Sequence, residues 1–90
     1  VIVINTSRGP LIDETALADA LKSKKVGAAA LDVVCKEPIE AGHVLLGLPN
    51  CILTPHIAWA PLESRQRLIT CVEENLTAYL KGQTIHQVNV

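Results

Sequence analysis

The sequence Gly27-Ala28-Ala29-Ala30-Leu31-Asp32-Val33-Val34 is a nearly continuous apolar run. A half-exposed strand would alternate apolar and polar residues, whereas a parallel strand covered on both faces is apolar throughout. We therefore predict a buried parallel strand that ends near Val34. Asp32 lies close to that end, and a buried carboxylate is costly unless it meets a hydrogen-bond donor. Asp32 is accordingly expected to have a specific partner.

Two further apolar segments predict neighbouring strands of the same sheet. Val1-Ile2-Val3-Ile4 is the first, and residues 51–54 form a third, short strand. Between the first two strands, Asp13 can cap a helix through its side-chain oxygen. That helix has an apolar face at helical spacing, made of Ala16, Leu17, Ala20 and Leu21. Strand, helix and strand together predict a right-handed βαβ crossover and an α/β fold.

A long helix is predicted after the sheet. Pro61 suits its first turn, because the fixed φ fits a helix and the missing N–H is not needed there. Gly82 is expected to end the helix as a left-handed cap. The apolar residues in between lie at helical spacing, at Leu62, Leu68, Ile69, Val72, Leu76 and Leu80. Residues 35–49 are expected to be a loop with one helical turn around residues 44–46.

Composition and charge exclude several classes of protein. The formal net charge of −1 shows no basic excess, and the lysines at positions 22, 24 and 25 suit the end of a helix. A nucleic-acid-binding protein would normally show a basic stripe, so no nucleic acid partner is predicted. No apolar run approaches the roughly 20 residues that span a bilayer. No membrane partner is predicted either.

The cysteines and two of the histidines predict no metal or disulfide. Cys35, Cys51 and Cys71 are odd in number and widely spaced, which favours neither a disulfide framework nor a metal site. A reduced, cytoplasmic setting fits this pattern. Cys35 is expected to be an inert side chain. His43 and His86 are expected to be exposed loop or tail residues.

Three short polar motifs follow the three predicted strands: Asn5-Thr6-Ser7-Arg8-Gly9, Leu31-Asp32-Val33-Val34-Cys35-Lys36-Glu37-Pro38 and Thr54-Pro55-His56-Ile57-Ala58-Trp59. The carboxyl ends of parallel strands form the ligand-binding edge of open α/β sheets. Arg8 can hold a carboxylate in a two-pronged fork, and His56 can transfer a proton near neutral pH. Glu37 can fix the tautomer of an imidazole. Taken singly, an Arg after a strand is more often a helix-capping or surface residue, a Glu-Pro is often a turn, and a lone His before a helix is often its cap.

The order and spacing of the motifs resemble the D-isomer-specific 2-hydroxyacid dehydrogenases. The Pro-His-Ile-Ala-Trp-Ala stretch is most similar to the glycerate dehydrogenase (hydroxypyruvate reductase) branch. The resemblance covers essentially the whole chain and implies the C-terminal part of a Rossmann-type doubly wound parallel sheet. It also implies hydride transfer between NAD or NADP and a small 2-hydroxy or 2-keto acid, such as glycerate, hydroxypyruvate or glyoxylate. The implied catalytic residues are Arg8, Glu37 and His56.

The same resemblance implies the residues that contact the cofactor. Thr6, Ser7 and Arg8 would lie along it at the end of the first strand, with His56, Ala58 and Trp59 on the nicotinamide side. Asp32 would accept from the nicotinamide carboxamide or from a nearby backbone group. Trp59 is placed equally well in a substrate pocket or in core packing.

The family's phosphate loop and substrate domain would lie upstream of the first motif. Residues 1–60 are therefore expected to be the C-terminal half of an NAD(P)-binding domain. Residues 61–90 are expected to be a long helix and a tail, Gln83 to Val90, that returns as a strand to the substrate domain. The isolated chain is expected to be inactive, and the full-length enzyme a homodimer. The alternative is a non-catalytic, corepressor-like binding protein on the same fold.

Overall fold

The computed structural model describes residues 1–89 and has an α/β fold. Three parallel strands form one sheet in the order β1 (Ile2–Asn5), β2 (Ala28–Leu31) and β3 (Cys51–Leu53). The predicted parallel sheet is confirmed. β2 ends at Leu31 and not near Val34, because the chain beyond it bonds to loops. The carbonyl of Asp32 accepts from the backbone N–H of His56, and the N–H of Val34 donates to the side chain of Glu37.

Helix α1 (Glu14–Lys22) connects β1 to β2, after a short 3₁₀ turn over Gly9–Leu11. Asp13 Oδ1 accepts from the N–H of Ala16 at 2.9 Å, as the capping prediction required. Leu17, Ala18 and Leu21 are the buried residues of this helix. The prediction that Ala16 lies on the buried face was wrong, because the helix is rotated so that Ala18 faces the sheet and Ala16 is exposed.

The core lies on one face of the sheet. Alternate residues of a strand point to opposite faces, and the face with Ala29 and Leu31 packs against α1 and against Leu45 of the following loop. On the opposite face, Ile2, Ile4 and Ile52 are 69%, 71% and 67% exposed. Within residues 1–58, the core therefore lies on one face of the sheet. The turn predicted near Leu45 is present as a hydrogen-bonded turn, with the N–H of Leu46 bonded to the carbonyl of His43.

The chain divides into two compact units, Val1–Ala58 and a second that begins at Trp59. The second contains helix α2 (Leu62–Leu80), which directly follows Pro61, and Gly82 adopts a φ of +71° just beyond it. The long-helix prediction is confirmed. Its apolar residues are mostly exposed, and Ala78 is buried. Within residues 1–89, no helix is long and apolar enough to cross a membrane.

The tail of the second unit contains no strand over residues 83–89, and Val90 lies outside the described residues. A strand forms only beside a hydrogen-bonded neighbour. The neighbour expected for this tail is a substrate domain. The division into residues 1–60 and 61–90 by function therefore stays a prediction.

Candidate active site

The three strands end side by side. Asn5 of β1 is in register with Leu31 of β2, and Leu31 is in register with Leu53 of β3. The segments that follow these residues carry Arg8, Glu37 and His56 in turn. Since the strands are parallel, all three segments leave the sheet at its carboxyl edge, where α/β proteins bind their ligands.

Glu37 and His56 are directly bonded, although 19 positions separate them in the sequence. Glu37 Oε2 lies 2.7 Å from His56 Nδ1, and each side chain is 37% exposed. The other carboxylate oxygen accepts from the N–H of Val34 at 3.2 Å. The hydrogen bond from His56 is the main cause that lowers the pKa of Glu37, and the charges of His56 and Arg8 add to it. Glu37 is therefore held as a carboxylate against the imidazole.

The Arg8 guanidinium is exposed, and its Nη1 donates to the carbonyl of Ser7 at 2.7 Å. The segment is shaped by Asn5, which is buried. The Asn5 side-chain amide donates to the carbonyl of Arg8 at 2.8 Å and accepts from the N–H of Ser7 at 3.0 Å. Arg8 is thus presented from a fixed turn, close enough for its charge to act on Glu37.

Asp32 organises the turn that carries His56. This carboxylate is only 5% exposed. Its Oδ1 accepts from Thr54 Oγ1 at 2.5 Å and from the N–H of Ile57 at 3.0 Å, and its Oδ2 accepts from the N–H of Ala58 at 2.9 Å. The hydrogen bond from Thr54 is the largest of the effects that lower the pKa of Asp32, followed by that from Ala58. Asp32 stays ionised. Of the two partners that the sequence left open, the structure shows the backbone group, together with the Thr54 hydroxyl.

His56 itself adopts a φ of +56°, a region that side chains other than glycine seldom occupy. Its N–H donates to the carbonyl of Asp32 at 2.8 Å. Unusual backbone conformations persist only where surrounding bonds hold them. The bonds to Asp32 therefore fix both the backbone of His56 and the direction in which its ring leaves the turn.

Gly9 brings the Arg8 segment against the start of the Glu37 loop. A Cβ atom at Gly9 would lie 2.1 Å from the carbonyl carbon of Val34 and 2.3 Å from the nitrogen of Cys35. Only a residue without a side chain allows this approach. The sequence analysis quoted Gly9 within its motif and gave it no role.

A cavity of about 340 Å³ lies at this edge, next to the Glu37–His56 pair. Asp32, Glu37 and His56 supply its charged and titratable groups. The remaining lining is mostly apolar and comes from Val34, Pro38, Ile39, Leu46, Leu53 and Pro55, with Thr54. An apolar cavity with a few converging polar groups is typical of a small-molecule site.

The other predicted contact residues occupy different places. Thr6 and Ser7 are exposed directly after β1, and the N–H of Ala58 is engaged by Asp32. Trp59 begins the second compact unit. Their roles toward a cofactor stay predictions.

The expectation for His43 was wrong. Its side chain is only 13% exposed, and its Nε2 lies 3.0 Å from Oε2 of Glu14. No local pattern links these residues, because they are 29 positions apart. His86 is exposed, as expected, with Nδ1 2.9 Å from Asn75 Oδ1. Partial desolvation and the neighbouring Glu14 carboxylate raise the pKa of the exposed Cys35 thiol, which supports an unreactive Cys35.

Comparison with known sequences identifies a matching family. The profile described as D-isomer specific 2-hydroxyacid dehydrogenase, NAD binding domain, matches residues 1–58. The chain is 57% identical over 89 residues to the hydroxypyruvate reductase of Blautia hydrogenotrophica, covering 99% of this chain and 28% of that protein. It is 46% identical over 84 residues to the glycerate dehydrogenase of Methylorubrum extorquens, covering 91% and 27%. The chain thus spans 27–28% of the length of these relatives.

Solved structures show the same relationship. A glyoxylate reductase from Paecilomyes thermophila superposes with a TM-score of 0.78 at 39% identity, covering 98% of this chain and 27% of that one. A D-isomer specific 2-hydroxyacid dehydrogenase from Xanthobacter autotrophicus, in complex with NADPH and MES, gives a TM-score of 0.79 at 33% identity, covering 99% and 36%. The predicted Rossmann-type α/β fold class and the sequence resemblance are confirmed.

Proposed function

The chain belongs to the D-isomer specific 2-hydroxyacid dehydrogenase family, and from that premise we propose that it carries the acid–base site of an NAD(P)-dependent oxidoreductase. The proposed reaction interconverts a small 2-keto acid and the corresponding D-2-hydroxy acid. The observation that carries the proposal is the 2.7 Å contact between Glu37 and His56 at the sheet edge. Arg8, Glu37 and His56 are the proposed catalytic residues.

Reduction of a 2-keto acid needs a group that holds the substrate carboxylate. The exposed guanidinium of Arg8 suits this role, because it stays charged and offers two parallel donors to a planar carboxylate. The same positive charge draws electron density toward the carbonyl oxygen of the bound acid. Arg8 therefore both orients the substrate and polarises it.

The reaction also needs a proton for the oxygen of the carbonyl as this oxygen becomes a hydroxyl. Glu37 engages Nδ1 of His56, so the proton to be transferred is carried on Nε2. The carboxylate charge stabilises the imidazolium form from which this proton leaves. In the opposite direction, neutral His56 takes the proton from the hydroxy acid. The nicotinamide, when bound, supplies or accepts the hydride.

The residues at the edge fit a dinucleotide. An ionised carboxylate accepts up to about four hydrogen bonds, and three donors of the turn reach Asp32, two of them on Oδ1 and one on Oδ2. Oδ2 can accept a further bond from a carboxamide. Thr6, Ser7 and Arg8 would follow the cofactor beyond β1, and Asp32, His56, Ala58 and Trp59 would contact its nicotinamide end. NAD and NADP both satisfy this donor set.

We further propose that the enzyme is a cytoplasmic homodimer. A reduced compartment fits the three cysteines, which are all free. The apolar surface of α2 supports assembly, because several of its leucine, isoleucine and valine side chains are more than half exposed.

The proposed activity is tested by assaying the active enzyme with hydroxypyruvate, glyoxylate and pyruvate, each with NADH and with NADPH. We expect reduction of hydroxypyruvate or glyoxylate with at least one nucleotide. In the oxidative direction D-glycerate should be a substrate, and L-glycerate serves as the control. Failure of every keto acid with both nucleotides would contradict the proposal and favour a binding protein on the same fold.

A further inference from the structure

Glu14 is engaged with the loop that carries Glu37, although it belongs to helix α1. Its side chain is 15% exposed. Oε1 accepts from the N–H of Cys35 at 2.7 Å, and Oε2 lies 3.0 Å from Nε2 of His43. One carboxylate therefore contacts loop 35–48 at its first residue and again near its middle.

The direction of the second contact follows from the tautomer of His43. Nδ1 of this ring accepts from the N–H of Leu45 at 3.3 Å, so Nδ1 carries no proton. The ring proton is then on Nε2, which donates to Glu14. Both oxygens of Glu14 act as acceptors, which a carboxylate can do and an amide cannot. Burial alone would raise the pKa of Glu14, but the bonds from Cys35 and His43 outweigh it and lower the pKa.

Glu37 lies between the two points that Glu14 holds. Residues 36–42 are exposed, so this part of the loop has little packing of its own. Its position depends on its ends, and one further restraint is the close approach of Gly9 to Val34 and Cys35. The contact of Glu37 with His56 is 2.7 Å long, and a shift of the loop by an ångström would break it.

We propose that Glu14 is a positioning residue that acts through loop 35–48 to hold Glu37 against His56. This inference rests on the proposed function, because it assigns the contact between Glu37 and His56 a part in proton transfer. Arg8 beyond β1 and Asp32 after β2 are charged groups that act on this pair. Neither changes when Glu14 is replaced.

The test is Glu14→Gln in the active enzyme, with the rate of keto-acid reduction followed from about pH 5 to 9. Gln keeps the size of the side chain, but its NH₂ group faces the N–H of His43 or of Cys35 and leaves one of them unpaired. A loosened loop withdraws the charge of Glu37 from His56. We expect kcat/KM to fall about two- to fivefold, no more than in Glu37→Gln, and the activity to be lost at lower pH than in the wild type as pH rises.

Glu40→Gln is the matched control. It removes a carboxylate charge from loop 35–48 itself, but Glu40 is exposed and paired with Lys36. This variant should keep the wild-type pH profile. In a Glu37→Gln background, Glu14→Gln should move the profile no further, because the charge that Glu14 positions is already gone. If Glu14→Gln does not fold, His43→Leu removes one of the two contacts and should move the profile in the same direction.

A lower melting temperature with an unchanged pH profile would show that Glu14 only stabilises the fold, and would overturn the proposal. A shift that persists undiminished in the Glu37→Gln background would also overturn it. If instead Glu37→Gln alone leaves the profile unchanged, the proposed role of Glu37 is wrong. That failure of the proposed function is seen without any variant of Glu14.

Discussion

The two segments that place Glu37 and His56 differ in how they are held. The turn over residues 54–58 is short, and Thr54 Oγ1 and the N–H groups of residues 56, 57 and 58 all donate to one buried residue, Asp32. Loop 35–48 is longer, exposed over residues 35–42, and held by a carboxylate of another element. Four hydrogen bonds to Asp32 hold the short turn, whereas two contacts with Glu14 hold the longer loop. The loop should therefore be displaced more readily than the turn when one of its bonds is lost.

Gly9→Ala should have the largest effect, because the added methyl group would clash with the backbone at the start of loop 35–48. The added methyl would lie 2.1–2.3 Å from backbone atoms of Val34 and Cys35, and backbone cannot move aside as a flexible side chain can. We expect a loss of about 3 kcal/mol in the free energy of unfolding and a fall in kcat/KM of more than about a hundredfold. Urea denaturation and steady-state kinetics measure these quantities.

Gly42→Ala is the control for that variant, since a Cβ at Gly42 meets no atom within 4 Å. Gly42 lies in loop 35–48 itself, and its variant should be close to wild type in stability and rate. Equal losses in the two variants would mean that the loop tolerates no added side chain anywhere. The close approach at Gly9 would then not be the reason for the damage.

Asp32→Asn tests the turn, and should cost roughly a hundredfold in kcat/KM because His56 loses its support. Asn keeps an oxygen for some of the donors, but its NH₂ group faces the N–H of Ala58 or of Ile57. Asp19→Asn, on the exposed surface of α1, is the control. Wild-type kinetics for Asp32→Asn would show that the turn keeps its conformation without the carboxylate.

The pH dependence of stability provides a second test of Asp32→Asn. The pKa of Asp32 is below its usual value of 3.8 in the folded protein. Its contribution to stability is therefore present above about pH 4 and is lost as pH falls through the lowered pKa. The difference in melting temperature between wild type and Asp32→Asn should shrink in acid.

The sequence predicted most of the fold because the signals were local. Apolar runs gave the strands, and Asp13 and Gly82 gave helix ends. The end of β2 was predicted too far along the chain. The apolar pattern continues through Val33 and Val34, but the N–H of Val34 donates to the side chain of Glu37 and not to a neighbouring strand. The contact between Glu14 and His43 was missed because 29 positions separate the two residues and neither lies in a recognisable motif. A contact between residues that are far apart in the chain produces no periodic pattern in a single sequence.

Arg8→Lys lies outside both segments and should weaken both the binding and the polarisation of the substrate, which raises KM and lowers kcat. Lys keeps the positive charge but loses the two-pronged geometry for a planar carboxylate. We expect kcat/KM to fall about tenfold, the effect of one lost charge-assisted hydrogen bond. The pH profile should move little, because a positive charge remains near Glu37. Kinetic constants equal to the wild type would show that Arg8 does not hold the substrate.

Glu37→Gln has the smallest expected effect on rate. It is nevertheless the sharpest test of the comparison, because it removes the carboxylate through which loop 35–48 contacts His56 of the turn. Gln keeps the shape and a possible hydrogen bond to His56 Nδ1, 2.7 Å away in the wild type. Without the carboxylate the imidazolium is less stable. Reduction needs protonated His56, so its activity should be lost at lower pH than in the wild type as pH rises. Oxidation needs the neutral ring and should gain at acidic pH relative to the wild type. Rate profiles in both directions from about pH 5 to 9 decide the matter. Superimposable profiles would mean that Glu37 contacts His56 without influencing its proton transfer.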